Sequence, residues 1–558
     1  MKFKTMHRLS LLLIASLLLG ACGSLSALGG KEKVTVSIIY GSEKKEWLEP
    51  LVQEFNDAKH ETADGKQIVI EATAMGSIES VNGIIDGTLQ PTVWSPASSV
   101  YIPVANAEWR NSHATDLVTG TPKDLVLSPV VIAMWRSMAQ ALGWPEKQIG
   151  WADIAALATS EEGWSAYGHP EWGKFQFGHT HPGHSNSGIV SIIAEAYAGA
   201  GKQRNLTSAD LQTTDIHTFM TAVEKSVIHY GTSTGFFAER MFERGPSYLS
   251  AAVMYENLIV AQESKRLSGA SQQIPVVAIY PKEGTFWSNH PYAVLNAPWV
   301  TDELKEAAGI FEDYLLDKPQ QLKALEYGFR PADPAIPLSS PLDAEHGADI
   351  NQPQTILEIP SATVITQIED LWHETKKPVD LIVVMDISSS MRGDKITSAR
   401  ASLMQFVQKL DDRDRLQIML FSSEITPLTP LTELGPKRQN VLNSVSGIFE
   451  NGNTALYDAT LDAYQELSAN GDADHIRAIV VLTDGDDTAS THSLGQVLSE
   501  LDTAAGEGGS AIKIFTIAFG DAADKDVLQQ LAQPTGGKQY DSSPENIQKI
   551  YDEISTFF

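Results

Sequence analysis

The sequence predicts an α/β fold made of two domains, each with a mainly parallel sheet. Its 558 residues exceed what one ordinary hydrophobic core accommodates, so at least two domains are expected. Apolar, β-branched runs alternate with amphipathic segments almost to the end of the chain, which is typical of βαβ units. Prolines crowd near residue 330, where this alternation lapses, and Pro378 marks the predicted boundary between the domains.

The first domain is predicted to span residues 34–377. The run VTVSIIYGS indicates a buried strand, EKKEWLEPLVQEFNDAKH an amphipathic helix, and KQIVIEATAMGS the next strand. Further strands, among them VVIAMW, YLSAAVMY and IPVVAIY, follow with helical segments between them. The last element before Pro378 is an amphipathic helix, SATVITQIEDLWHETKK.

The second domain is predicted to span residues 378–558. Its strands DLIVVMD, RLQIMLFSS, IRAIVVLTD and AIKIFTIAFG are almost continuously apolar, which indicates that helices cover both faces of the sheet. The segment ITSARASLMQFVQKL carries apolar residues at helical spacing. A doubly wound, mainly parallel, Rossmann-like sheet is therefore expected.

The N-terminus has the features of an export signal. Residues 1–22 join a basic start to an apolar run too short to span a membrane comfortably. The final residues Leu19, Gly20, Ala21 and Cys22 resemble the lipobox of bacterial lipoproteins, in which the cysteine is acylated. Cys22 is the only cysteine, so disulfides are excluded; the alternative is an ordinary cleaved signal with a chance cysteine. Residues 23–33 then read as a flexible tether, and the chain would be held outside the cytoplasm at a membrane left undecided.

Charge narrows the range of partners. The formal net charge is -29, so phosphate polymers should be repelled and nucleic-acid binding is not expected. An acidic surface is common in exported proteins and by itself identifies no partner.

A cluster of oxygen-bearing residues is predicted at one edge of the second sheet. Asp386 ends a strand and begins a DxSxS pattern with Ser388 and Ser390; Thr454 follows a Gly-Asn turn, and Asp484 follows another strand. Ligands of open α/β sheets bind beyond the carboxyl ends of the strands, where these residues should meet. Two carboxylates and three hydroxyls suit a hard divalent cation, although the same residues could simply cap helices and close turns.

This ordered pattern resembles the von Willebrand factor A (VWA) domain with its metal-ion-dependent adhesion site. The resemblance implies that Ser388, Ser390 and Thr454 ligate the metal through hydroxyls, with Asp386 and Asp484 bound directly or through water. Mg²⁺ is expected, or another divalent cation such as Mn²⁺ or Ca²⁺. Neutral hydroxyls leave the cation electrophilic, so an open coordination position could accept a carboxylate from an acidic protein partner. No positioned base accompanies the site, and the chain is not expected to be an enzyme.

Other residues near this edge have ordinary explanations. Asp486 and Asp487 are expected to be solvated. Arg392, Gly393 and Asp394 spell an integrin-binding tripeptide, but a turn at Gly393 and a helix start at Asp394 explain them better.

The first domain contains several points where small polar residues follow a strand and open a helix. Helix N-termini of this kind bind anions or polar groups, although capping explains each one singly. Together with sequence segments such as VWSPASS, HSNSG and YGFRP, these helix starts make the domain resemble a two-lobed, periplasmic-binding-protein-like (type 2) solute-binding protein. The resemblance implies a cleft for a small polar or anionic solute, with the candidates Gly41, Ser42, Ser77, Ser95, Ser98, Ser187 and Tyr255.

Three histidines, His179, His181 and His184, fall close together in HTHPGH. They could bind zinc or iron, but such a cluster more often supports a loop.

Three functions remain open at this point. The first is a membrane-anchored binding or adhesion lipoprotein that captures an acidic protein through its metal site. The second is the substrate-binding component of an ABC-type transport system, with the second domain as a docking module. The third, an enzyme that uses the metal as a Lewis acid, is the least favoured.

Overall fold

A computed structural model describes residues 32–271, 273–505 and 512–557. The predicted signal peptide and Cys22 lie outside the described residues. Within these three ranges, no helix combines the length and the apolar character needed to cross a membrane.

The strands, numbered in chain order, are β1 Lys33–Gly41, β2 Gln67–Met75, β3 Val93–Ser95, β4 Lys123–Asp124, β5 Val126–Trp135, β6 Phe177–Thr180, β7 Val227–Gly231, β8 Ala251–Tyr255, β9 Val276–Ile279, β10 Trp287–Ser288, β11 Pro291–Val294, β12 Arg330–Pro331, β13 Val379–Asp386, β14 Arg415–Phe421, β15 Ile425–Pro427, β16 Thr432–Glu433, β17 Ile476–Thr483, β18 Ile512–Phe519 and β19 Gln539–Ser542.

The α-helices are α1 Lys45–Ala58, α2 Ser77–Ile85, α3 Ile102–Trp109, α4 Arg136–Ala141, α5 Trp151–Thr159, α6 Asn186–Ala200, α7 Ser208–Leu211, α8 Thr214–Glu224, α9 Thr234–Arg244, α10 Glu256–Leu267, α11 Asp302–Leu316, α12 Lys318–Glu326, α13 Ala362–Thr375, α14 Asp394–Lys409, α15 Arg438–Ser446, α16 Leu456–Asn470, α17 Leu494–Ala505, α18 Lys525–Ala532 and α19 Ile547–Ser555.

The first domain has two lobes, each built on its own sheet. The sheet of lobe one has the strand order β2-β1-β3-β11-β4, and β1 pairs parallel with β2 and β3. The sheet of lobe two has the order β10-β5-β8-β6-β7, with β9 and β12 also paired to β5. The chain crosses between the lobes at Leu125 and again before Pro291, and the Leu125 N–H donates to the His290 carbonyl, 3.1 Å away. The chain returns to lobe one for α11 and α12 and reaches lobe two again at β12, so the domain has the two-lobed architecture that was predicted.

The sheet of lobe two departs from the predicted parallel arrangement. Strand β5 pairs antiparallel with β8, β9, β10 and β12, while β6 pairs parallel with β7 and β8. The chain enters lobe two along β5 and leaves it along β10 beside β5, so these two strands must run in opposite directions.

The second domain is the predicted doubly wound α/β layer. Its strand order is β15-β14-β13-β17-β18-β19, and only β15 and β16 run antiparallel to their neighbour β14. Helix α14 packs on one face, where Phe406 stacks on Tyr551 of α19. Helices α16 and α18 cover the other face through buried residues such as Leu461 and Leu528. Strands covered on both faces explain the continuous apolar runs in the sequence.

Candidate functional site

The predicted metal-site residues come from three loops at the carboxyl edge of the second sheet. Asp386 is the last residue of β13, and Asp484 follows the end of β17. Because β13 and β17 are adjacent parallel strands, their ends bring the two aspartates to the same edge. Both aspartates are buried, whereas Ser390 is exposed, so the site opens to solvent on the side of the serine loop.

Hydrogen bonds hold four of the five predicted residues together. The Ser388 N–H donates to Asp386 Oδ1 at 2.7 Å, and the hydroxyls of Ser388 and Ser390 lie 2.9 Å apart. The Ser390 hydroxyl in turn donates to Asp484 Oδ1 at 2.7 Å. The serine loop therefore connects the two carboxylates.

Thr454 lies on a turn that is bonded to the serine loop. The Gly452 carbonyl accepts the N–H and the hydroxyl of Ser389, at 3.0 and 2.9 Å. Gly452 has φ +77°, a left-handed conformation that glycine adopts without strain. The Thr454 N–H donates to Thr488 Oγ1 at 3.1 Å, and Thr454 is buried. The turn is thus fixed beside the loop before α16 begins.

Two further residues belong to the site. The Thr483 hydroxyl donates to Asp386 Oδ2 at 2.6 Å, and the Lys395 ammonium forms an ion pair with Asp484 Oδ2. Burial raises the pKa of the Asp386 carboxyl, while hydrogen bonds from Thr483 and Ser388 oppose the rise. Neither Thr483 nor Lys395 lies in a distinctive sequence pattern. The only signal for Lys395 is its place in the first turn of the helix that follows the serine loop.

The donor set suits a divalent cation. All the predicted donors are oxygens, and the two buried carboxylates face a single ammonium, that of Lys395. Hard cations such as Mg²⁺ take oxygen ligands of this mixed kind. Among the nearby acids, Asp486 is exposed, and Asp487 accepts a hydrogen bond from Ser490. Gly393 has φ +85° and precedes the first residue of α14, as the turn interpretation of that tripeptide requires.

The predicted cleft residues gather at the seam between the two lobes, and all of them are buried: Gly41, Ser42, Ser77, Ser95, Ser98, Ser187 and Tyr255.

Several of these residues bond directly across the seam. The Ser42 hydroxyl of lobe one donates to the Ser233 hydroxyl of lobe two at 2.9 Å. The Ser98 hydroxyl donates to Asn186 Oδ1 at 2.8 Å, and the Asn186 amide donates to the Tyr255 hydroxyl at 3.0 Å. The lobes are therefore closed on each other.

Closure changes the role expected of one helix N-terminus. The predicted cleft residue Ser77 opens α2, and the N–H groups of Ile78 and Glu79 lie in the first turn of this helix. Both donate to the His184 carbonyl of lobe two, at 3.0 Å each. Gly76 lies so close that a Cβ there would come within 2.4 Å of the same carbonyl oxygen. In the closed state a backbone carbonyl takes the place of the expected ligand.

Polar atoms at the seam nevertheless lack partners among the described residues. The seam also holds the buried Lys44, whose ammonium pairs with Glu43 Oε1 at 2.9 Å and lies 3.3 Å from both the Pro96 carbonyl and His290 Nδ1. The buried atoms without a hydrogen-bond partner are Ser95 Oγ, Asn257 Oδ1, Ser288 Oγ and His290 Nε2. A small polar ligand or water at this position would satisfy them.

Two of the three predicted histidines stay together in the structure, since the rings of His181 and His184 meet edge-on with 5.1 Å between their centroids. The His181 ring packs edge-on against Trp372, with 4.9 Å between the centroids, and burial lowers its pKa well below the ordinary value. Burial also lowers the pKa of His184 to about 4. His179 points elsewhere and lies with Glu195 and Glu224 in the core of lobe two.

Two family models match the chain. The model described as bacterial extracellular solute-binding protein matches residues 36–330, more than half of the chain. The model for the von Willebrand factor type A domain matches residues 380–553.

Curated relatives match either the whole chain or its second domain. The uncharacterized protein Rv1836c of Mycobacterium tuberculosis is 23% identical over 546 residues, which covers 91% of this chain and 74% of that protein. The inter-alpha-trypsin inhibitor heavy chain H4 of Homo sapiens is 28% identical over 193 residues, which covers 32% of this chain and 20% of that protein.

Solved structures resemble each domain. A periplasmic thiamin binding protein is 10% identical with a TM-score of 0.45, covering 62% of this chain and 98% of that one. The proximal thread matrix protein 1 of mussel byssus, with a zinc-occupied metal motif, is 16% identical with a TM-score of 0.28, covering 38% of this chain and 55% of that one.

Proposed function

Since the chain belongs to the bacterial extracellular solute-binding protein family and carries a von Willebrand factor type A domain, we propose that it is an extracytoplasmic adhesion protein. It captures an acidic protein partner through a divalent cation held by Asp386, Ser388, Ser390, Thr454 and Asp484. Mg²⁺ is the cation that the oxygen donors favour, with Mn²⁺ and Ca²⁺ as substitutes. A lipid on Cys22 holds the protein at a membrane.

The observation that carries this proposal is the hydrogen-bonded path from Asp386 through the two serines to Asp484, which ends at an exposed hydroxyl. A cation on this path keeps two buried carboxylates behind it and can face a partner on the solvent side. The cation supplies the positive charge that lets a carboxylate approach a protein of net charge -29.

Binding rather than catalysis is proposed because of the groups around the serines. Ser388 and Ser390 bond to each other and to carboxylates of the site, and the nearby base Lys395 is engaged by Asp484. No group in this arrangement is poised to activate a water or a hydroxyl.

The test is cation-dependent capture by the full chain. The protein is immobilised, incubated with solubilised envelope proteins of the producing cell in Mg²⁺, and eluted with EDTA. Capture should be lost in Asp386→Ala and retained in Asp394→Ala, which removes an exposed aspartate at the start of α14. Capture that persists in EDTA, or in Asp386→Ala, would contradict the proposal.

A second candidate is delivery of a small polar solute to a permease of an ABC-type system. The polar atoms of the seam that lack partners among the described residues favour it, because a solute there would satisfy them. Native mass spectrometry of the purified chain should then detect a bound small molecule. That molecule should be lost from Ser288→Val but retained in Asp386→Ala.

A further inference from the structure

The core of lobe two contains an unusual polar cluster. His179 comes from β6, Glu195 from α6, and Glu224 ends α8; none of the three is exposed to solvent. One nitrogen or oxygen of each side chain lies within 4.8 Å of the others. Two carboxylates and an imidazole therefore share a space that water does not reach.

The imidazole of His179 has a defined tautomer. Its Nδ1 lies 2.8 Å from the Thr180 carbonyl, so Nδ1 carries hydrogen and donates. Its Nε2 then faces Glu224 Oε1 at 2.9 Å. In the neutral ring this contact sets two lone pairs against each other, so a proton or a cation must lie there.

Glu224 is held in place by donors from two other elements. The Trp372 indole N–H of α13 donates to Oε1 at 3.1 Å, and the Tyr230 hydroxyl of β7 donates to Oε2 at 2.6 Å. Donors of this kind fix the orientation of the carboxylate. Supporting hydrogen bonds of the same sort, including the imidazole N–H to a backbone carbonyl, surround metal ligands in proteins.

Glu195 lacks a suitable partner in either protonation state. Both of its oxygens are buried, and neither has a hydrogen-bond partner among the described residues. As an anion it would be a buried charge without a partner, which is strongly unfavourable. As a neutral acid it would carry an O–H donor that has no acceptor, which is also costly.

From this geometry we propose that His179, Glu195 and Glu224 bind a divalent transition-metal ion, separate from the cation at Asp386. One dication balances the two carboxylates, satisfies the oxygens of Glu195 and replaces the lone-pair contact at Nε2. A set of one imidazole and two carboxylates suits Zn²⁺ or a similar ion, whereas the Asp386 site offers only oxygens. The buried site does not depend on the function proposed for the second domain.

The metal is positioned to stabilise the junction between the domains. Trp372 belongs to the helix that leads into the second domain, and Tyr230 donates its backbone N–H to the Phe557 carbonyl at 3.2 Å. Glu224 thus holds two side chains of the first domain that lie next to this junction.

The test measures metal in the full chain, produced in medium that contains Zn²⁺. All variants carry Asp386→Ala, which removes the exposed site, so that any remaining metal reports the buried one. After gel filtration in EDTA, elemental analysis should find about one Zn²⁺ per chain, because a buried ion exchanges slowly. Glu195→Gln should retain less than about a tenth of this, while the control His217→Gln, an exposed histidine on α8, should retain all of it.

A second measurement decides the matter if Glu195→Gln does not fold. Production with Co²⁺ should give the Asp386→Ala chain visible d–d absorption bands that resist EDTA. Absence of retained metal and of these bands would overturn the proposal, and so would metal that persists in Glu195→Gln. A protonated cluster without metal also predicts that Glu195→Gln melts at the same or a higher temperature, whereas a metal site predicts a lower one.

Discussion

Replacing Lys395 with glutamine should tighten cation binding at the Asp386 site. The Lys395 ammonium pairs with Asp484, whose side chain is fully buried, while the lysine side chain is 31% exposed. A cation that uses Asp484 must displace this ammonium or share the carboxylate with it. Lys395 therefore acts as a built-in competitor of the cation.

The size of the effect follows from the strength of this ion pair. Hydrogen bonds to charged groups contribute about 1.5–3 kcal/mol, and exposed ion pairs at most about 1 kcal/mol. With one partner buried and the other a third exposed, about 1–2 kcal/mol is reasonable. Removing it should lower the dissociation constant of the cation by roughly fivefold to thirtyfold.

Isothermal titration of the purified chain with Mn²⁺ measures this constant directly. The matched control is Arg392→Gln, which removes a positive charge from the adjacent turn. Arg392 pairs with Glu450 at 3.2 Å, and its side chain is 77% exposed. Arg392→Gln should change the constant by less than about twofold, because its charge is screened by solvent.

An unchanged or weaker affinity in Lys395→Gln would refute this reasoning. It would mean that the lysine orients Asp484 for the cation instead of competing with it. An equal gain in Arg392→Gln would show that the effect comes from net charge alone and not from the Asp484 ion pair.

Two further predictions concern buried acids. Burial, together with the nearby carboxylates of Glu108 and Asp370, raises the pKa of Glu369 to about 8. The folded chain therefore keeps a proton that the unfolded chain releases. As a result, the free energy of unfolding falls as the pH rises toward 8. Glu369→Gln should therefore increase the free energy of unfolding at pH 8 by about 2 kcal/mol after allowance for screening, and change it little at pH 4. In thermal melts this appears as a higher Tm at pH 8 only; the same increase in Tm at both pH values would contradict the prediction. Arg330 donates two hydrogen bonds to Glu256, of 2.8 and 2.7 Å. Arg330→Met leaves this buried carboxylate without its positively charged partner, so denaturant unfolding should show a loss of about 3–5 kcal/mol in the free energy of unfolding. Adding Glu256→Leu should recover most of that loss, and failure to do so would show that packing of the arginine matters more than its charge.

The sequence predicts that Asp386 and Asp484 meet at one edge of the sheet because this geometry is local. Each predicted ligand follows a strand or a tight turn, and parallel strands bring their carboxyl ends to one edge without further information. Thr483 and Lys395 were missed because a threonine in a strand and a lysine in a helix are common. Only the packed sheet shows that they contact the two aspartates.

The lobe seam and the buried cluster depend on contacts between distant segments. His184 reaches the first turn of α2 only when the lobes close, which no local pattern encodes. Glu195 did leave a signal, since it lies within the otherwise apolar helix sequence GIVSIIAEAYAGA. The histidine pattern HTHPGH did not reveal the partners of His179, because Glu195 and Glu224 lie about 16 and 45 residues further along the chain and reach it only through packing.

The first domain contacts the second domain away from the edge at which the cation is proposed to bind. Residues at the amino ends of β17 and β18, including Ile476 and Lys513, line a pocket together with Gln176 and Tyr248 of the first domain. The Asp386 site lies at the opposite, carboxyl ends of the same strands, about 25 Å away for strands of eight residues at about 3.3 Å each. The residue before the C-terminus, Phe557, meanwhile covers β7, the edge strand of lobe two, by accepting its backbone N–H. The contact between the two domains thus covers an edge strand that would otherwise be open to aggregation. It involves the amino ends of β17 and β18, opposite the edge where the cation is proposed to bind.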